Sequence, residues 1–238
     1  MDDTDTPTQT DETDIPADVP ARIEHTVLGP TTTATEVREV VDTAADLGMR
    51  ACVPPRYVPT ADGVAPEVEV VTVVGFPHGH HQPAVKASEA ERAVADGASE
   101  VDMVAALGPL LAGEAGATEA DVEVVVDAVD VPVKVIVEAP LLEEGELRQA
   151  CVAARDAGAD FVKTATGFSE GGATVADVEV MSEYLPVKAS GGVGSWAEAR
   201  AMLEAGAERV GASSGDVIVR EYLDSATAPD DTADAGAE

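Results

Sequence analysis

Apolar residues along this chain fall into short dense blocks separated by longer stretches in which they recur every three or four positions. The blocks of strand length are Arg22–Leu28, Arg50–Val53, Val68–Gly75, Glu100–Ala105, Val133–Ala139, Asp160–Thr164, Val187–Ser190 and Arg209–Ala212. Seven are followed by amphipathic stretches, at Thr35–Leu47, Pro83–Asp96, Glu119–Val129, Glu144–Ala157, Val175–Tyr184, Ser195–Ala205 and Asp216–Leu223. The second block leads instead into a Pro-broken segment from Pro54 to Asp62. Strands alternating with helices of this length predict βαβ units and a parallel sheet.

A weak internal repeat supports that count. Gly48, Gly97, Gly158 and Gly206 each stand between an amphipathic stretch and the next apolar block, where glycine stops a helix cheaply. Eight such units in one short chain predict a single α/β domain, a (β/α)8 barrel over residues 21–223. No G-x-G-x-x-G follows the first block, so an open dinucleotide-binding sheet loses its main signal. Residues 1–20 and 224–238 are acidic, lack periodicity and read as solvated tails.

Composition sharpens this picture. The formal net charge is -32, from 46 acidic against 14 basic side chains. Such a field repels nucleic acid and anionic membranes, so neither is expected as a partner. The apolar fraction of 45% excludes wholesale disorder. Together these predict a folded protein with a carboxylate-coated surface, suited to a halophile's salt-rich cytoplasm, where screening relieves self-repulsion. Two cysteines give no disulfide framework, and the acidic N-terminus does not resemble a targeting segment.

Against that charge, the four lysines stand out. Three lie in apolar blocks: Lys134 in Val133–Val137, Lys163 in Phe161–Lys163 and Lys188 in Pro186–Ser190. A lysine there loses hydration, which is expensive unless it is paired or has a task. In a barrel, Lys163 ends the sixth strand, Lys188 lies on the seventh and Asp102 on the fourth, near the C-terminal rim where barrel active sites form. Lys134 and Glu138, four apart on the fifth strand, are expected on one side. A lysine attacks a carbonyl only as the free amine, and a neighbouring cation such as Lys188 disfavours the ammonium. Asp102 would shuttle protons, and the whole suggests Schiff-base catalysis. The rival reading makes these lysines structural partners of Asp102 and Glu138, with Lys134 the first candidate.

Two glycine-rich loops add a second signal. Ser190–Gly194 follows the seventh block and Gly211–Gly215 the eighth, each ahead of a helix, the usual phosphate position in such barrels. Backbone N–H groups, helix dipoles and the hydroxyls of Ser213 and Ser214 would hold the anion. His78, His80 and His81 offer a metal-binding alternative, but a Gly/Pro loop places three close histidines poorly around one ion. His25 reads as a hydrogen-bonded residue of the barrel mouth. Cys52 reads as a small buried group near the site, and Cys151 as core.

The chain resembles the deoxyribose-phosphate aldolases over nearly all of residues 22–215. The match rests on Ile23–Leu28, Cys52–Pro55, Val74–Gly79, Glu100–Val104, Lys134–Glu138, Phe161–Phe168, Val187–Val193 and Arg209–Ser214, in order. The resemblance implies a TIM barrel that cleaves 2-deoxy-D-ribose 5-phosphate into D-glyceraldehyde 3-phosphate and acetaldehyde, without metal or other cofactor. It implies Lys163 as the Schiff-base lysine, Lys188 as the second lysine and Asp102 as proton donor and acceptor. Gly167, Gly191, Gly192, Val193, Ser213 and Ser214 match phosphate-binding positions, and Thr26, Cys52 and Lys134 fall within the substrate site. It also implies a homo-oligomer, dimer or tetramer.

Some positions depart from the family. Glu24 stands where Asp is usual and Gly29 where Lys or Asn is frequent, which bears on contacts to sugar hydroxyls. Phe168 stands where some members have Lys, leaving phosphate to backbone donors. The last residues, Ala235–Glu238, lack the tyrosine that reaches the active site in some members. Two alternatives remain. Another class I aldolase would prefer ribose 5-phosphate or ketose phosphates, and a non-catalytic phospho-sugar binder would bind without forming an imine.

Overall fold

The computed structural model describes Asp18–Thr227. Of the tails expected at 1–20 and 224–238, residues 1–17 and 228–238 lie outside the described residues. Eight parallel strands close into a barrel in chain order: β1 (Ile23–Thr26), β2 (Arg50–Val53), β3 (Val70–Val74), β4 (Glu100–Val104), β5 (Val133–Ile136), β6 (Phe161–Lys163), β7 (Val187–Ser190) and β8 (Ala207–Ala212). Closure is made by β8 pairing with β1, with Glu24 opposite Gly211.

The helices form the outer ring: α1 (Val19–Arg22), α2 (Ala34–Leu47), α3 (Val58–Asp62), α4 (Pro83–Ala95), α5 (Leu107–Leu111), α6 (Ala115–Val126), α7 (Glu144–Asp156), α8 (Val175–Ser182), α9 (Trp196–Glu204) and α10 (Gly215–Thr227). Local chemistry sets several of their ends. Thr33 and Glu36 form a capping box at the start of α2, and Gly48 ends it at φ 70°. The same box, Ser195 with Glu198, starts α9.

Three boundaries differ from those expected. Val19 is fully buried in α1, so the barrel domain includes residues before the expected start at 21. Helix α10 runs on to Thr227, beyond the expected limit of 223. Between β4 and β5 the chain forms α5 before α6, and α5 is too short to show a period.

The main core lies between strands and helices, where Val37, Met103, Val122, Met181 and Ile218 are buried. With three Phe, three Tyr and one Trp, this layer is filled mainly by Val, Ala and Met. The space inside the barrel is different. Its inward positions carry Glu24, Arg50, Glu100, Asp102, Lys134, Lys163, Lys188 and Arg209, with Phe161 between Lys134 and Arg209. Burying so many charges is unfavourable unless they are compensated, so the interior is built mainly around ion pairs, with Arg209 lying over the Phe161 ring instead.

Candidate active site

The strands place the charged side chains in two tiers. Asp102 sits fully buried at the centre of β4, beside Lys134 in the β4–β5 register. Lys163 and Lys188 lie directly opposite each other on β6 and β7. All three lysines meet on the one carboxylate. Asp102 Oδ2 accepts from Lys163 Nζ at 2.9 Å and Lys188 Nζ at 2.6 Å, and Oδ1 accepts from Lys134 Nζ at 3.1 Å.

Two further acids complete the network. Glu24 accepts from Lys188 through Oε2 and lies 3.6 Å from Lys134 through Oε1, while Glu100 also pairs with Lys134. Lys188 and Lys134 therefore each have an acid besides Asp102, and among the described residues Lys163 has Asp102 alone. Burial by itself raises the Asp102 carboxyl, but Lys134, Lys163 and Lys188 outweigh it and hold the group well below the usual carboxylate range. Glu24 is held down in the same way by Lys134 and Lys188. Burial opposes the charge on Lys188, yet Asp102 and Glu24 dominate and raise it, so it stays a cation.

Above this network opens a cavity of about 500 Å³. Lys163 lines it, and with it Thr26, Gly167, Gly191, Gly192, Val193, Ser213 and Ser214. These residues, expected at the site, come together around one mouth. Asp102, Lys134 and Lys188 are buried beneath it. Cys52 is fully buried too, its thiol pushed up to about 11 chiefly by burial. Cys151 is buried on α7, within the main core.

The glycine loops are tied to each other before they meet any ligand. Ala173 N–H donates to Gly191 O at 2.9 Å, and a Cβ at Gly172 would lie 2.4 Å from that same oxygen. Gly191 itself has φ 96°, a conformation glycine takes without strain. Among the described residues, the N–H groups of Gly167, Gly192, Val193 and Ser213 have no protein acceptor. They are donors suited to an anion.

Several expectations need correction. The N-terminus of α9 is not free to meet an anion, because Glu198 Oε2 already accepts from Gly194 N–H at 2.8 Å and Ser195 N–H at 3.1 Å. Glu24 does not reach toward sugar hydroxyls but is fully buried against the lysines. Glu138 does not share a face with Lys134. The strand ends at Ile136, and Glu138 turns into the left-handed region to accept from Thr166 N–H. His25 is buried, and among the described residues its Nδ1 has no partner, while the ring is hydrogen-bonded to the backbone at Ala212.

His78, His80 and His81 are all exposed. Among the described residues, the trio whose ligand atoms approach one another is Glu24, Cys52 and Asp102, and its carboxylates are engaged by the lysines. Sequence reasoning also missed Lys86. It is fully buried on α4, where it donates to Asp121 Oδ2 at 2.6 Å and Val104 O at 2.8 Å.

The family model for the DeoC/LacD family aldolases matches residues 22–224. The chain belongs to this family. Among its DeoC/LacD relatives, a deoxyribose-phosphate aldolase of Haloarcula marismortui is 58% identical over 205 residues, covering 86% of this chain and 88% of the relative. One from Halobacterium salinarum is 55% identical, covering 86% and 97%. The solved aldolase QR15 superposes with TM-score 0.85 at 37% identity, covering 87% of this chain and 97% of that one. A tetrameric deoxyribose phosphate aldolase from Aeropyrum pernix superposes with TM-score 0.79 at 33% identity, covering 86% and 91%. Among the described residues of this family member, no helix is long and apolar enough to cross a membrane.

Proposed function

We infer that this aldolase reversibly cleaves 2-deoxy-D-ribose 5-phosphate to D-glyceraldehyde 3-phosphate and acetaldehyde, with Lys163 as nucleophile. The observation that carries this reading is the placement of Lys163. Of the four lysines it is the one lining the mouth, with Asp102 beneath it and unpaired backbone donors across the same cavity. Its Nζ attacks the C1 carbonyl, and loss of water leaves an iminium. That group draws the electrons of the C2–C3 bond as the C3 hydroxyl gives up its proton, which releases glyceraldehyde 3-phosphate. The remaining enamine is protonated at C2 and hydrolysed to acetaldehyde.

Asp102, held ionised, takes and returns protons at Lys163 and the carbinolamine oxygen. Lys188 supplies the fixed cation that a nucleophilic amine requires nearby. Gly167, Gly191, Gly192, Val193, Ser213 and Ser214 would bind the phosphate. Phe168 contributes no charge and instead meets Phe76 edge-on, with ring centroids 5.2 Å apart. The acidic chain and its haloarchaeal relatives support a cytoplasmic enzyme working at high salt, away from nucleic acid and membranes. The tetrameric Aeropyrum relative supports a homo-oligomer.

Borohydride trapping tests the reading. At high salt, wild-type protein with acetaldehyde or 2-deoxyribose 5-phosphate is expected to gain one reduced adduct on Lys163, and Lys163→Ala to gain none. A folded wild-type protein that binds the sugar phosphate yet yields no adduct would be a binder rather than an aldolase. Faster cleavage of a ketose phosphate would indicate a different class I aldolase.

A further inference from the structure

Glu138 is the one non-glycine residue at positive φ among the described residues, at 48°. A side chain in that region costs on the order of 1 kcal/mol or more and persists only where its surroundings impose it. The residue follows β5 and is only 4% exposed. Its main chain is stitched to β6 on both sides: Val137 N–H donates to Lys163 O at 3.0 Å and Ala139 N–H to Thr164 O at 2.8 Å. The side chain continues along the same segment. Glu138 Oε1 accepts the Thr166 N–H, and Oε2 is buried without a partner.

Thr166 and Gly167 form one edge of the mouth cavity, and Thr166 Oγ1 accepts from Phe168 N–H at 3.1 Å. Beyond Lys163 the chain reads Thr-Ala-Thr-Gly, buried as far as Thr166 and exposed at Gly167. Ser190 holds the first part, through its hydroxyl to Ala165 O at 2.6 Å. Glu138 holds the next. A charge-assisted bond in a buried setting is a strong tether, and it accounts for the strain at its own residue.

We propose that Glu138 is a positioning residue that fixes the Thr166–Phe168 edge of the anion cradle, and thereby sets the preference for phosphorylated over unphosphorylated sugar. It does not line the cavity and acts through the Thr166 N–H. The proposal rests on the phosphate site described under Proposed function. It differs from a merely structural role in a measurable way. A structural residue, once removed, lowers turnover of every substrate together. A cradle-positioning residue selectively raises KM for the phosphorylated one.

The test compares kcat/KM for 2-deoxyribose 5-phosphate and for 2-deoxyribose in wild type and three variants. Glu138→Gly accepts the left-handed backbone without strain and removes the whole side chain, carboxylate included. Glu138→Asn also tolerates that backbone but has an arm one methylene too short, so it answers the question if the glycine variant fails to fold. Glu138→Gln keeps an acceptor oxygen for Thr166. The expected result is at least a tenfold fall in the phosphorylated-to-unphosphorylated ratio for Gly and Asn, carried by KM. Glu138→Gln stays within about threefold of wild type, and the trapped acetaldehyde imine is unchanged in all three. A selective wild type whose ratio survives in Glu138→Gly and Glu138→Asn overturns the role of Glu138. Equal losses for both substrates do the same. A wild type with no phosphate preference overturns the cradle itself, and the role of Glu138 with it.

Discussion

One carboxylate, Asp102, receives three ammonium groups, and much of the site's behaviour follows from that. Its carboxyl is depressed in the folded protein, so the stability it contributes is complete above the unfolded value near pH 4 and is lost as pH falls through the folded value. Asp102→Asn cannot titrate there. Urea midpoints taken between pH 3 and 7 should fall on acidification more steeply in wild type than in the variant, and the variant's kcat should drop at least about a hundredfold. Equal acid slopes would remove Asp102 from this account. Lys134, Lys163, Lys188 and Asp102 were legible in the sequence because a charge inside a short apolar block is conspicuous. Glu24 stood out only as a departure near the sugar, and its place in the ion network was not legible, since its partner Lys188 lies 164 residues away and meets it only when the barrel closes. Glu100 could have been found, being two residues from Asp102 on one strand and hence on one face.

At the scale of elements, the periodic stretches were readable and the short ones were not. Helices α2, α4 and α7 announced themselves by spacing, while α1 and α5 are single turns that exist through their contacts. The capping box at Ser195 and Glu198 was also written in the sequence, yet a glycine loop ahead of a helix suggested an open anion site where the box leaves none. Nothing in the sequence around Lys86 on α4 marked it as buried, because helices routinely carry lysine outward. Among the described residues its one carboxylate partner, Asp121 on α6, is itself nearly buried, so removing one partner strands the other. Lys86→Ala should lower unfolding free energy by about 3–5 kcal/mol, measured by chemical denaturation at high salt. Lys86→Met combined with Asp121→Leu should recover most of that loss. A loss below about 1 kcal/mol for the single variant would show that the pair is not sealed from water.

For the whole molecule, the formal charge of -32 makes the folded state depend on the ions around it. Screening shortens from about 30 Å at 0.01 M salt to about 3 Å at 1 M, so surface carboxylates cease to repel across the molecule as salt rises. The denaturation midpoint should therefore rise steeply with potassium chloride and level off in the molar range. A midpoint independent of salt would mean that the surface charge is internally balanced after all. The buried network should respond far less, because it has no access to those ions.

All four lysines in the sequence are buried, at 0%, 0%, 3% and 1% exposure for Lys86, Lys134, Lys163 and Lys188. The exterior thus offers no side-chain amine, and Lys163 is the lysine that lines the mouth cavity. Among the side chains, chemistry aimed at primary amines, from succinimide-ester dyes to glutaraldehyde crosslinking and aldehyde resins, would find the nucleophile first. Conjugating this protein by its amines would amount to titrating its active site. Attachment to a support is better directed at its abundant carboxylates.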